Sequence, residues 1–203
     1  MNSIWDKPIS QGDILKKVWK NLDLGVIDRK HPFHTPVFAT ENGASPSLRI
    51  VVLRRFWRKP AKIAFHAHIG SPKIEQIKNN KNVSYLFYNP QENLQARIRG
   101  VATIHTDGKL ADEQWNATAL FSRRCYIGKA PTNISKKPTH GMPEEIVERD
   151  PTREESEIGR ANFTVISTAI NEIDCLELDV KGNRRSLFVW NENGEFEMKW
   201  LTP

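Results

Sequence analysis

Leu48-Arg49-Ile50-Val51-Val52-Leu53-Arg54 is the stretch on which the fold turns. Its interior is β-branched and apolar on both faces, the pattern of a central strand covered on two sides. Upstream, Val37-Phe38-Ala39-Thr40 reads as a short strand closed by Glu41-Asn42-Gly43, where Asn-Gly is a hairpin turn signal. Downstream, Lys62–Ala67, Val83–Tyr88 and Leu94–Thr106 read as strands. Phe163–Thr168, Cys175–Val180, Leu187–Trp190 and Phe196–Trp200 add four more, with turn chemistry at Lys181-Gly182-Asn183 and Asn193-Gly194. Helices are fewer. Ile14, Leu15, Val18, Trp19 and Leu22 recur at helical spacing behind a Ser10 cap, with Asp13 three residues on and Gly25 as the stop. Ser71–Lys78 and Leu110–Leu120 are two shorter helical segments. Many short strands, tight turns and few helices predict a mainly β fold, a barrel with peripheral helices.

The 203 residues suit one domain spanning 1–203. With 38% hydrophobic and 27% charged residues the chain lies outside the disordered class, and its Trp, Phe and Tyr residues supply bulk for a core. No stretch approaches the ~20 apolar residues of a membrane span, and Met1–Lys20 holds no signal-peptide core. Cys125 and Cys175 set no disulfide framework and are expected to be reduced thiols, which points to a cytoplasmic protein. Lys129–Arg160 differs from the rest: Pro131, Pro138, Pro143 and Pro151 accompany seven acids between Glu144 and Glu157. It is expected to be a mobile loop.

Lys and Arg number 30 against 24 Asp and Glu, but the balance is uneven: residues 1–100 carry +10 and residues 101–203 carry −4. An anionic ligand or a solvated basic face would each account for that. Ser71-Pro72-Lys73 is more specific. Ser at the cap and Pro at the first helical position are ordinary, but a lysine in the first turn opposes the helix dipole. A bound phosphate would resolve the conflict, and an exposed lysine in water would tolerate it. Arg49 and Arg54 bracket an apolar strand, where guanidinium groups need a carboxylate or phosphate, and their spacing places them on opposite faces unless a bulge intervenes. Gln95, Arg97 and Arg99 share one strand face; Gln95 can meet the mixed edge of a heterocycle, whereas the two arginines read best as an outer polar face. No metal-ligand spacing, nucleophile elbow or phosphate-loop fingerprint occurs, so no metal site and no catalytic residue is assigned.

Taken in order, Arg49-Ile-Val-Val-Leu-Arg54, Phe65-His66-Ala67-His68-Ile69-Gly70-Ser71-Pro72-Lys73, Val83-Ser-Tyr-Leu-Phe-Tyr88 and Leu94-Gln95-Ala-Arg-Ile-Arg-Gly100 resemble the FMN-binding split barrel of the pyridoxamine phosphate oxidase family. His31-Pro-Phe-His34 and Phe121-Ser-Arg-Arg-Cys-Tyr126 are similar to a divergent branch of related FMN-binding proteins rather than the vitamin B6 enzyme. The resemblance covers about residues 30–128 and is looser from 160 onward. It implies FMN as cofactor and a homodimer with the flavin at the subunit interface. It implies that Arg49, Ile50, Val51, Val52, Leu53 and Arg54 contact the flavin and its phosphate. His66 and Ala67, Ser71 and Lys73, and Gln95 stand at further cofactor positions. Arg123 and Arg184 stand where the family binds a small-molecule substrate, while Ala119 replaces a tyrosine and Ser186 a histidine. The implied activity is hydride transfer from substrate to flavin N5 with reoxidation by dioxygen. A flavin-dependent reductase is the alternative. A basic nucleic-acid-binding barrel is the reading from another class, disfavoured because the cations are not interleaved with aromatics.

Overall fold

Only two residues separate Ile50 from Leu53, yet these two end up at opposite ends of one antiparallel sheet. The computed structural model describes residues 3–6, 8–43, 45–191 and 193–203. Along the chain run β1 (Val37–Asn42), β2 (Ser45–Ile50), β3 (Leu53–Arg58), β4 (Ala61–His68), β5 (Asn82–Asn89), β6 (Leu94–His105), β7 (Phe163–Glu177), β8 (Arg184–Trp190) and β9 (Phe196–Leu201). Their spatial order is β2-β1-β5-β6-β7-β4-β3, with β8 and β9 continuing from β7. The link from Ile50 to Leu53 can span at most roughly 11 Å. The sheet must therefore curl until its ends nearly meet, which closes the barrel. Val51 ties the corner by donating its N–H to the Pro36 carbonyl at 3.1 Å.

This corrects the reading of Leu48–Arg54 as one central strand. Leu48 and Ile50 lie on the outer face of an edge strand, 62% and 68% exposed, while Leu53 is buried on the next one. A run apolar on both faces is equally the signature of a chain that crosses between the two ends of a closing sheet. The register between β3 and β4 shifts between Leu53 and Arg55, so Arg54 occupies a bulge.

A second correction concerns β7, which is one strand of 15 residues rather than two short ones. Its first half pairs with β4 and its second half with β8, while β6 runs along both. Asn171 is the extra residue of a bulge between the Arg99–Glu172 and Gly100–Ile170 pairs, so the strand runs through. A Cβ on Gly100 would lie 2.1 Å from the Ala169 carbonyl oxygen, so only glycine lets the strands approach there.

The barrel interior holds Phe38, Phe65, Tyr85, Phe87, Ile98 and Ile166, all essentially buried. α1 (Gln11–Ile27) packs Ile14, Leu15, Val18 and Leu22 onto it. Ser10 and Asp13 form the expected reciprocal cap. Gly25, however, does not stop α1: the helix runs on to Ile27, and Gly25 admits the Phe33 carbonyl, which a Cβ would meet at 2.7 Å. α2 (Pro72–Asn79) follows β4 as expected. α3 (Gly108–Ala117) and α4 (Leu120–Ile127) cover the outer face of β4 and β7, where Ala64, Trp115, Tyr126, Phe163 and Val165 form a second core. Of the segment 129–160, residues up to 143 and 147–152 lack regular structure, while α5 (Arg153–Glu157) and the 3-10 turn that follows it dock against α4. Cys125 is exposed and Cys175 buried, both as free thiols. Among the described residues no helix is long and apolar enough to cross a membrane.

Candidate functional site

At the mouth of α2, Ser71 occupies the N-cap but its side chain makes no capping bond. The hydroxyl instead accepts a hydrogen bond from the Lys73 ammonium. Across this mouth lies Arg49, whose guanidinium donates to Thr40 Oγ1 (2.6 Å), Ser47 Oγ (2.5 Å) and Gln76 Oε1 (2.9 Å) and packs over the Phe38 ring. Neither cation meets a carboxylate among the described residues. Burial pushes the Lys73 pKa down, and the nearby Arg49 charge pushes it further. Two partly buried cations that repel each other, beside helix N–H groups and a hydroxyl, form a seat for a dianion. That donor set fits a phosphate monoester.

β4 carries the site onward. Its alternation turns Ile63, Phe65 and Ala67 into the barrel and Ala64, His66 and His68 outward under α3 and α4. His68 is buried, accepts the Gly70 N–H at Nδ1 (2.9 Å), and is lowered in pKa by burial and by Lys73. His66 stacks edge-on against Phe163, and its Nε2 lies 3.3 Å from Gln114 Oε1. Burial, with the charge of Arg54, lowers the His66 pKa to about 4, so the ring is neutral at pH 7. The bulge aims Arg54 into a cavity of about 310 Å³ that also includes Arg29, His66 and Gln114 in its wall. Two cationic poles thus lie along β4, Arg49 with Lys73 beyond its His68 end and Arg54 beside its middle, near His66.

The remaining sequence candidates are dispersed. Val51, Leu53 and Ala67 pack in the core, Val52 is half-buried, and Ile50 faces outward. Gln95 lies on the outer face between Tyr88 and Leu176. His66 pairs with Val165, and Val165 with His105, ten residues along β6 from Gln95. Roughly 30 Å of strand separates them within one chain. Arg97 and Arg99 end on Asp174 and Glu172, as an outer polar face should. Arg123 is 1% exposed and spends its donors on Glu157 (2.8 Å), Ser156 (3.0 Å) and the Trp115 and Thr118 carbonyls, with its plane over the Trp115 ring. Arg184 is bound to buried Glu177 (2.7 Å) and to the Ile4 carbonyl, with Trp5 over it. Both arginines are consumed by their surroundings. Sequence reasoning missed Arg29, Gln114 and Gln76; of these only Gln76, three residues past Lys73 on one helix face, carried a spacing signal.

Residues 15–106 match the family model described as "Pyridoxamine 5'-phosphate oxidase, FMN-binding domain". A curated Caenorhabditis elegans protein described as "Putative pyridoxamine 5'-phosphate oxidase" is 34% identical over 91 residues, 45% of this chain. The match spans only 38% of that relative's length. A pyridoxamine 5'-phosphate oxidase-related, FMN binding protein of Nostoc punctiforme superposes with a TM-score of 0.65 at 19% identity, covering 95% of this chain and 96% of that one. PhzG of Burkholderia lata, solved in complex with tetrahydrophenazine-1-carboxylic acid, gives 0.67 at 17% identity, with 98% and 95% covered. At these identities the two structures speak to the fold, the split barrel.

Proposed function

We propose that this chain is an FMN-dependent oxidoreductase acting on a small molecule, a reading supported by the match of residues 15–106 to the FMN-binding domain model of pyridoxamine 5'-phosphate oxidase. The observation that carries the residue assignment is the Arg49–Lys73 pair, two cations at the α2 mouth with no described carboxylate to neutralise them. In this reading Arg49, Lys73 and the Ser71 hydroxyl hold the cofactor phosphate, and Thr40 and Gln76 keep the Arg49 fork in plane. The outward row of β4, with neutral His66, borders the ring system. Bound FMN would supply hydride acceptance at N5 and, in an oxidase, return of the electrons to dioxygen. His66, held neutral, can accept or donate a hydrogen bond there without adding charge. Trp115, Tyr126 and Phe163 exclude water behind it.

Gln95 and Arg184 lie too far along the sheet to join this site in one chain, so the proposal includes a homodimer in which a second copy brings its far end to the first copy's flavin. The outer residues Leu48 and Ile50 of β2 and Leu86 and Tyr88 of β5, exposed and apolar on the two strands that flank β1, suit that contact. The test is the visible spectrum of purified protein followed by titration with FMN and with riboflavin. A yellow protein that prefers FMN supports the assignment; colourless protein that takes up neither flavin overturns it. Incubation in air with pyridoxamine phosphate, scored for peroxide, then decides whether that amine is a substrate.

A further inference from the structure

β9 ends its branch of the sheet, and among the described residues it pairs with β8 alone. Phe196 to Trp200 are all exposed. Asn191 donates its N–H to the Glu195 carbonyl at 2.8 Å, which makes that pair a hydrogen-bonded one and fixes the phase of the ladder. With Val189 opposite Glu197 and Leu187 opposite Lys199, those two β9 residues turn their backbone groups to β8. Phe196, Met198 and Trp200 turn theirs to the open edge. The side chains of these three share one face and are 43%, 39% and 49% exposed. Glu197 and Lys199 occupy the other face and pair with each other at 3.1 Å. An open edge with an apolar face is a template for another strand. The edge strand β2 carries Pro46 as a guard, but β9 holds no proline.

We propose that β9 pairs edge to edge with β9 of a second copy of this chain, antiparallel, about a twofold axis through Met198. The sequence Phe196-Glu197-Met198-Lys199-Trp200 is complementary to itself in that register. Glu197 lies opposite the partner's Lys199, Phe196 lies opposite the partner's Trp200, and the two Met198 residues meet on the axis. Phe196, Met198 and Trp200 are the positions with free backbone groups, so the seam gains about six hydrogen bonds. Glu197 and Lys199 fall at the non-hydrogen-bonded positions, where opposing side chains are closest, and the four charges form a ring of alternating sign. On the apolar face the partner's Trp200 extends a row of rings, Trp19, Trp190 and Phe196, whose neighbours already lie 5.9 and 5.3 Å apart. Moving the axis by one residue sets Glu197 against Glu197 or Lys199 against Lys199, so charge selects the register. An edge lysine ordinarily blocks strand pairing, and this register neutralises it. The contact uses other strands than the β2 and β5 residues of the flavin dimer and does not depend on that reading. Both contacts together build an assembly larger than a dimer.

Sedimentation equilibrium of the full chain at low salt, from dilute to concentrated protein, measures the assembly mass. Glu197→Lys and Lys199→Glu, both at exposed positions, should each lower the limiting mass about twofold by setting like charges across the seam. The double variant restores the complementarity and should recover the wild-type mass. Met198→Pro removes the outward N–H without touching the β8 ladder and should lower the mass as the single charge variants do. A monomeric wild type, or single charge variants with the wild-type mass, overturns the proposal. So does a double variant that stays dissociated, because Glu197 and Lys199 then do not meet across the seam. The readout is the same whether or not the chain takes up FMN.

Discussion

Arg123 belongs to α4 and Arg54 shares a cavity with Ser122 of that helix, and what surrounds each guanidinium is opposite. Arg123 has a carboxylate, a hydroxyl, two carbonyls and an indole face, and almost no solvent. Arg54 has a cavity, a neutral imidazole and another arginine. Two cations that look alike in the sequence are therefore a strut and a candidate ligand arm. The same division separates Arg184, clamped to Glu177, from Arg49, which holds only neutral oxygens. A fully compensated buried charge has no remaining affinity to offer, whereas an uncompensated one is poised for an anion.

The division breaks most visibly at Arg184. Arg184→Ala leaves Glu177 buried with only Lys17 near it, and a loss of about 3 kcal/mol is expected, the low end for a broken buried pair because Lys17 remains. Urea unfolding measures it; unchanged stability with lost turnover would make Arg184 a ligand arm after all.

His66 probes the border between strut and cavity. Its folded pKa of about 4 lies below the ordinary 6.5, so the unfolded chain takes up a proton that the fold refuses. Stability is intact above about pH 6.5 and falls as the pH drops toward 4, by at most about 3 kcal/mol. His31, His68 and His105, lowered by burial, act in the same direction. His66→Gln should flatten this slope in pH-dependent melting, and an unaltered slope would mean a hydrated imidazole.

Lys73→Ala should weaken FMN by about 1.5–3 kcal/mol, one charge-assisted contact, while sparing riboflavin. Equal loss for both flavins would remove Lys73 from the phosphate. The smallest effect belongs to Ser71→Ala. Because the hydroxyl caps no helix N–H, stability should change by less than the ~1 kcal/mol of a lost cap, and FMN affinity should fall by about 0.5–1.5 kcal/mol. A large stability loss with unchanged flavin binding would reverse that assignment.

Much of the architecture was legible because alternation and turn residues act locally. The Asn42-Gly43 hairpin, the Ser10–Asp13 cap, and strands β4, β5 and β6 follow from residues near in sequence. β7 was not, since its continuity depends on Gly100 of another strand receiving the bulge. The site divides likewise. Lys73 was visible because a cation in a first helical turn is a local contradiction. Arg29 was not, because nothing near it in sequence distinguishes it from a solvated turn residue.

From the order of residues alone came the mainly β character, the helix mouth with its misplaced lysine, and the excess of positive charge in the first half. Whether Leu48–Arg54 ran as one strand or joined two ends of a barrel, and which arginines met acids, was decided only in three dimensions. Helical and strand periods and caps are set within a few residues of chain, whereas the neutralisation of a charge depends on groups tens or hundreds of residues away.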